Sequence, residues 1–149
     1  MGPLQARRIA ALLGVLLVAA PALALDYRSV AEAAALYDAP SQKAKPLHAI
    51  ARGTPVEQVV AVEAWVKVRD QKGDLAWIEK RLLSDKRMVI VRVDRAQVRA
   101  QAEDKAALAF EAVQDVVLEL VEPSVAGWAR VKHRDGQQGF VKAAQVWGL

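Results

Sequence analysis

Two histidines, His48 and His133, are the only imidazoles in the 149-residue chain, and cysteine is absent. Without a thiol there is no Cys–His nucleophile, no disulfide and no lipid attachment through a cysteine. A serine triad needs a histidine poised between a hydroxyl and an orienting carboxylate. His48 follows Pro46-Leu47 in a strand-like stretch, and His133 opens the turn His133-Arg134-Asp135-Gly136, so neither stands in a nucleophile motif. The two lie 85 residues apart, with no patterned carboxylates beside them, and make no metal-ligand signature. The expectation is a non-enzymatic protein with no catalytic residues, no metal and no cofactor.

What remains for chemistry is aromatic: Tyr27, Tyr37, Trp65, Trp77, Phe110, Trp128, Phe140 and Trp147. The stretch Trp65–Arg69 alternates, Asp70–Gly73 is a turn containing glycine, and Leu75–Glu79 alternates again, which is the pattern of a hairpin. Alternation puts Val66, Val68, Ala76 and Ile78 on one face, the natural core side, and Trp65, Lys67, Trp77 and Glu79 on the other. Two large rings bracketing a cation suit the stacking of a peptide or a sugar. At least part of the set is expected instead to pack against the other barrel or against loops, because small domains complete marginal cores with such surface.

The elements that carry these residues occur twice. Trp65-Val66-Lys67-Val68-Arg69 aligns with Trp128-Ala129-Arg130-Val131-Lys132 at an offset of 63, which also pairs Gly73 with Gly136, Trp77 with Phe140 and Ile78 with Val141. The second hairpin thus repeats the outer face as Trp128, Arg130, Phe140 and Lys142. The spacing is too long for common solenoid repeats and fits duplicated domains. The expectation is an all-β protein of two small barrels, 25–94 and 95–149. Val56–Val62 forms a β-branched strand, and Arg87–Val93 closes the first unit. Helical turns are expected over Ser29–Ala35, Lys80–Leu83 and Lys142–Val146. No Gly/Ser/Pro-rich linker separates the units at Asp94-Arg95, so they should sit in a fixed relation and lean on each other.

The first residues have another task. Met1–Arg8 is positive through Arg7 and Arg8, Ile9–Ala20 is an apolar run of 12, and Pro21 precedes Ala22-Leu23-Ala24. These are the three regions of a secretory signal, with cleavage expected between Ala24 and Leu25. A bilayer span needs roughly 20 apolar residues, so a lasting membrane anchor is not expected, and the mature protein should be periplasmic or secreted. The chain carries 21 basic and 17 acidic residues. Loss of Arg7 and Arg8 brings the balance closer to neutral, and the remaining charges are dispersed, unlike the basic stripe of a nucleic-acid binder.

Five stretches of the first copy resemble the bacterial SH3-like domains, in particular the exported Gram-negative kind. They are Leu36-Tyr37-Asp38-Ala39-Pro40-Ser41, Arg52-Gly53-Thr54-Pro55-Val56, Trp65–Asp70, Gly73–Ile78 and Arg87–Val91. The second copy matches in its later half. It lacks the Tyr-Asp-x-Pro-Ser segment and the Gly-Thr-Pro turn, with Asp115 near the place of the latter. The resemblance implies five- or six-stranded barrels that bind rather than catalyse, with an envelope protein or a peptidoglycan peptide as partner. It also places Tyr37 where peptide-binding relatives carry a groove tyrosine, so the expected binding residues are Tyr37, Trp65, Lys67 and Trp77. The loop Gln42-Lys43-Ala44-Lys45 is basic where polyproline readers are acidic, which argues against polyproline ligands. Alternatively, the pair of barrels is a rigid assembly piece of an envelope complex with no small ligand.

Overall fold

The computed structural model describes residues 24–149, so the signal read over Met1–Ala24 lies, but for its last residue, outside the described residues. The first unit comprises β1 (Tyr27–Val30), β2 (Ala34–Tyr37), β3 (Pro46–Ile50), β4 (Pro55–Val62), β5 (Trp65–Arg69), β6 (Leu75–Glu79) and the two-residue β7 (Leu83–Ser84). The second comprises β8 (Met88–Val91), β9 (Arg95–Arg99), β10 (Leu108–Val113), β11 (Val117–Val125), β12 (Trp128–Lys132), β13 (Gln138–Lys142) and β14 (Val146–Trp147). Single 3-10 turns at Lys80–Leu82 and Ala143–Gln145 lead into the last strand of each unit. The strand orders are β3-β2-β6-β5-β4-β1-β7 and β10-β9-β13-β12-β11-β8-β14, the same topology twice. The chain is therefore all-β, with two small barrels in tandem, as the alternation indicates.

The alternation also decides what each barrel buries. Val66, Val68, Ala76 and Ile78 join Val30, Leu36, Ile50, Val56 and Leu82 in the first core. Val89, Val91, Val98, Leu118, Ala129, Val131 and Val141 lead the second. Every buried member of both cores is aliphatic. Branched side chains pack well on a pleated surface, so the first interior needs no ring to fill it, while Phe110 packs at the border of the second.

Three expectations require correction. Met88–Val91 does not close the first unit: β8 pairs with β11 (Ile90 with Val117, Val89 with Leu118), and Val89 and Val91 lie in the second core. The break between the sheets therefore falls between Ser84 and Met88, not at Asp94-Arg95. Ser29–Ala35 forms no helical turn, because Val30 and Leu36 both belong to the core and are supplied by strands β1 and β2. Finally, the second copy is complete. Its early strands escape a constant offset because single-residue insertions shift the register.

Matching hydrogen bonds make those shifts visible. Gly53 donates to Val30 as Asp115 donates to Val91, Asp38 to Lys45 as Ala100 to Ala107, and Gly73 to Asp70 as Gly136 to His133. The offset thus grows from 61 to 62 to 63 along the chain. The last step is a bulge in β11 between Glu122 and Val125, at Pro123. Proline has no N–H to give the ladder and is tolerated at such irregularities.

Gly139 shows how closely the second barrel is closed. A Cβ there would stand 2.6 Å from the Arg99 carbonyl oxygen and 2.7 Å from a Val98 methyl. The first copy holds Ala76 at the corresponding position. Gly139→Ala, although it imitates the first copy, is expected to cost about 1–3 kcal/mol through overpacking. Denaturant unfolding checks this, and a neutral result would show that β9 can withdraw freely.

The barrels touch through residues outside both cores. The ring of Tyr27 meets Trp147 edge-on at 5.1 Å, and the Arg87 guanidinium lies 5.5 Å from the Tyr27 centroid. Arg87 donates to the Gly148 carbonyl at 2.7 Å, Ser29 Oγ to the Lys86 carbonyl at 2.7 Å, and Gln71 to Asp115 at 2.8 Å. Burial raises the Tyr27 phenol pKa, keeping the ring neutral beside Arg87. Met88, which occupies in the second barrel the place of Tyr27 in the first, approaches Gly53 of the opposite barrel.

Candidate functional site

Tyr37, Trp65, Lys67 and Trp77 come together on the outer face of β2, β6 and β5. Tyr37 stands opposite Trp77, Trp77 opposite Lys67, and Trp65 opposite Glu79. Since alternate side chains share a face, burying Val66, Val68, Ala76 and Ile78 leaves these residues outside and half-buried. Tyr37 and Trp65 reach over the intervening β6 and meet edge-on, with centroids 5.6 Å apart and planes at 89°. The Lys67 ammonium is 6.0 Å from the Trp77 centroid, at the outer limit of a cation–π contact. None of the four faces the second barrel's rings. Trp147 alone of the tryptophans takes the inter-barrel role that sequence left open for the group.

The segment after Tyr37 is held by its own side chains. Asp38 accepts the Lys45 N–H at 3.0 Å, and Ser41 Oγ accepts the Lys43 N–H at 3.1 Å. Asp and Ser favour turns because their oxygens capture nearby backbone donors. The result is a loop that stands beside Trp65. Between them is a recess of ≈ 670 Å³ lined by Pro40, Ser41, Gln42, Trp65, Glu79 and Arg81, among others. Glu79 accepts from the Gln42 amide and pairs with Arg81 at 2.6 Å. The Gln42 hydrogen bond, with the Arg81 charge, holds this carboxyl below its ordinary pKa. Glu79 is thus an anion facing the recess, while Lys67 supplies the opposite sign at Trp77.

The second barrel keeps two of the three rings and changes the charges. Trp128, Arg130 and Phe140 repeat the pattern, but Arg99 takes the position of Tyr37, opposite Phe140. Lys142 replaces Glu79, lies 5.8 Å from the Trp128 centroid, and bonds Asp104 at 2.7 Å. Its cations are engaged: Arg130 with Glu122, Arg99 with the Ala106 carbonyl and Gln97. The two faces share one scaffold, and the second carries Arg99 and Lys142 where the first carries Tyr37 and Glu79.

The histidines do not meet. His48 lines a recess with Asp70 and Lys72, whereas His133 lines the cleft between the barrels. His133 Nδ1 lies 3.0 Å from Asp135, and its ring faces Phe110 at 6.1 Å. Among the described residues no three His, Cys, Asp or Glu side chains are grouped as metal ligands, and no helix is long and apolar enough to cross a membrane. Sequence reasoning missed Tyr27, Arg87 and Trp147 as a set. All three fall outside the duplicated hairpins, where the alternation carries no signal for them.

No curated protein sequence matches the chain. Among solved structures, it is similar to NlpC2 from Trichomonas vaginalis (12% identity, TM-score 0.39, covering 83% of this chain and 48% of that one). It is also similar to NlpC1 from the same organism (13%, 0.39, 91% and 50%) and to an NlpC/P60 family protein from Bacillus cereus (16%, 0.39, 81% and 55%). The chain spans about half the length of these proteins. The family model for the bacterial SH3 domain matches residues 30–85 and again 92–148, one match on each seven-stranded sheet. With most of its length accounted for in this way, the chain belongs to the bacterial SH3 domain family, as two copies in tandem.

Proposed function

We propose that the protein is a non-enzymatic binding or scaffolding module of the cell envelope. It takes a partner protein or a cell-wall peptide on the outer face formed by Tyr37, Trp65, Lys67 and Trp77. One observation carries this reading: three rings and a cation gather on a half-exposed sheet face whose barrel is already filled by aliphatic side chains. Rings that the core does not need are available for stacking. Family membership supports a binding role rather than a catalytic one.

The test separates binding from stability. Trp77→Ala should weaken retention on purified peptidoglycan, or on a crosslinked protein partner, by about 1–3 kcal/mol. It should cost only about 1 kcal/mol of folding free energy, as for a partly exposed side chain. A melt lowered as far as for a core truncation would place Trp77 in the structural framework and remove the site. Recovery only within a multiprotein complex, unaffected by Trp77→Ala, would favour a rigid assembly piece, a reading supported by the Tyr27–Trp147 contact.

The envelope location rests on the signal pattern ending at Ala22-Leu23-Ala24. The protein isolated from cells should begin at Leu25. Intact mass checks this, and retention of Met1 in a membrane fraction would overturn it.

A further inference from the structure

One recess lies on neither aromatic face. It is a cleft of ≈ 840 Å³ between the barrels. The first barrel contributes the end of β1 and the turn at Arg52-Gly53, and the second contributes the Asp115–Val117 segment and the turn at His133-Arg134. Lys86 from the connection and Met88 at the start of β8 complete it. The cleft therefore exists only while the barrels are docked through Tyr27, Arg87 and Trp147.

Its charge is one-sided. Arg52 and Arg134 are exposed, and neither pairs with a carboxylate of the described residues. Lys86 adds a third cation, shared with Glu119 at 3.3 Å. The one carboxylate of the lining, Asp115, already accepts from Gln71 at 2.8 Å. Between the cations the wall is aliphatic: Val30, Val116, Val117 and Met88. No Trp, Tyr or Phe lines it, and His133 is its one aromatic ring.

We propose that this cleft is a second binding site, separate from the aromatic face, for an acidic segment of a partner protein. Carboxylates of the segment pair with Arg52 from one barrel and Arg134 from the other, and an aliphatic side chain between them rests on Val30, Val117 and Met88. A guanidinium matches a carboxylate with two parallel hydrogen bonds, and complementary charge steers such a segment into place.

The test uses the full chain and a fluorescein-labelled peptide of sequence Glu-Leu-Asp-Val-Glu, read by fluorescence anisotropy at low salt. Saturable binding is expected. The double variant Arg52→Ala/Arg134→Ala should weaken it at least tenfold, while Arg95→Ala, which removes an exposed cation elsewhere, should leave it within twofold. Both cleft arginines lack ionic partners, so a matching thermal melt is expected and excludes misfolding. Amide shift changes should centre on Arg52–Gly53, Asp115–Val117 and His133–Arg134. The proposal is overturned by equal weakening in Arg95→Ala, by shifts centred on Arg99 and Lys142, by full binding in the double variant, or by no saturable binding. It is also overturned if a short single-stranded DNA competes as strongly as unlabelled peptide, since that would make the cleft a general polyanion surface.

Discussion

Tyr27→Ala is expected to cost about 3–5 kcal/mol of unfolding free energy, the range for deleting a large buried ring, and to divide one melting transition into two. Tyr27 is 8% exposed yet belongs to neither aliphatic core. Its neighbours are Trp147, edge-on at 5.1 Å, and the Arg87 guanidinium, so the loss falls on the junction. Each barrel keeps its own interior. Coupling between them should weaken to the point where calorimetry resolves separate events. Tyr27→Phe keeps the ring and should melt once. A single transition in Tyr27→Ala, displaced only slightly, would mean that Arg87, Ser29 and Gln71 hold the junction without the ring.

Ile78→Ala is expected to cost about 2–5 kcal/mol, in contrast to Trp77→Ala one residue earlier. Ile78 is 0% exposed, opposite Val66 in the ladder and among the largest fully buried side chains. Its removal opens a cavity lined by Val and Leu that the strands cannot readily collapse. Side chains one apart on β6 point to opposite faces, so the pair of variants reads the two faces separately. At temperatures where the variant remains folded, Ile78→Ala should bind a partner normally. Loss of binding in the folded Ile78→Ala protein, or a cost as small as for Trp77→Ala, would contradict the assignment of inner and outer faces.

Period-2 alternation made the hairpins and their two faces legible, because a strand half-buried on one side leaves that trace in residue types. Tyr37 was legible differently, through the Tyr-Asp-x-Pro-Ser stretch, whose Asp38 and Ser41 hold the loop by backbone capture. The ownership of Met88–Val91 was not legible. A β-branched tetrapeptide carries no mark of its partner strand, and pairing with β11 is a long-range choice settled by the second core. The early strands of the second copy were obscured by inserted residues, one of them absorbed as a bulge at Pro123. The junction and its cleft were least legible of all. They depend on how two finished surfaces meet, and Arg52 and Arg134 differ from other exposed arginines only by facing the same space.

The joining of Tyr27 to Trp147 has a consequence for the order of events during synthesis. Each barrel is complete within its own run of sequence, so the first can close on its aliphatic interior while the second is still being made. Its Tyr27 ring, however, must wait for Trp147 until β14 has emerged. The first barrel thus spends that interval without this contact. Because Trp147 sits on the last strand of the second barrel, its contact with Tyr27 cannot form on a partly built neighbour. Completion of the docking is consequently a late step, and it reports that both units have been made in full.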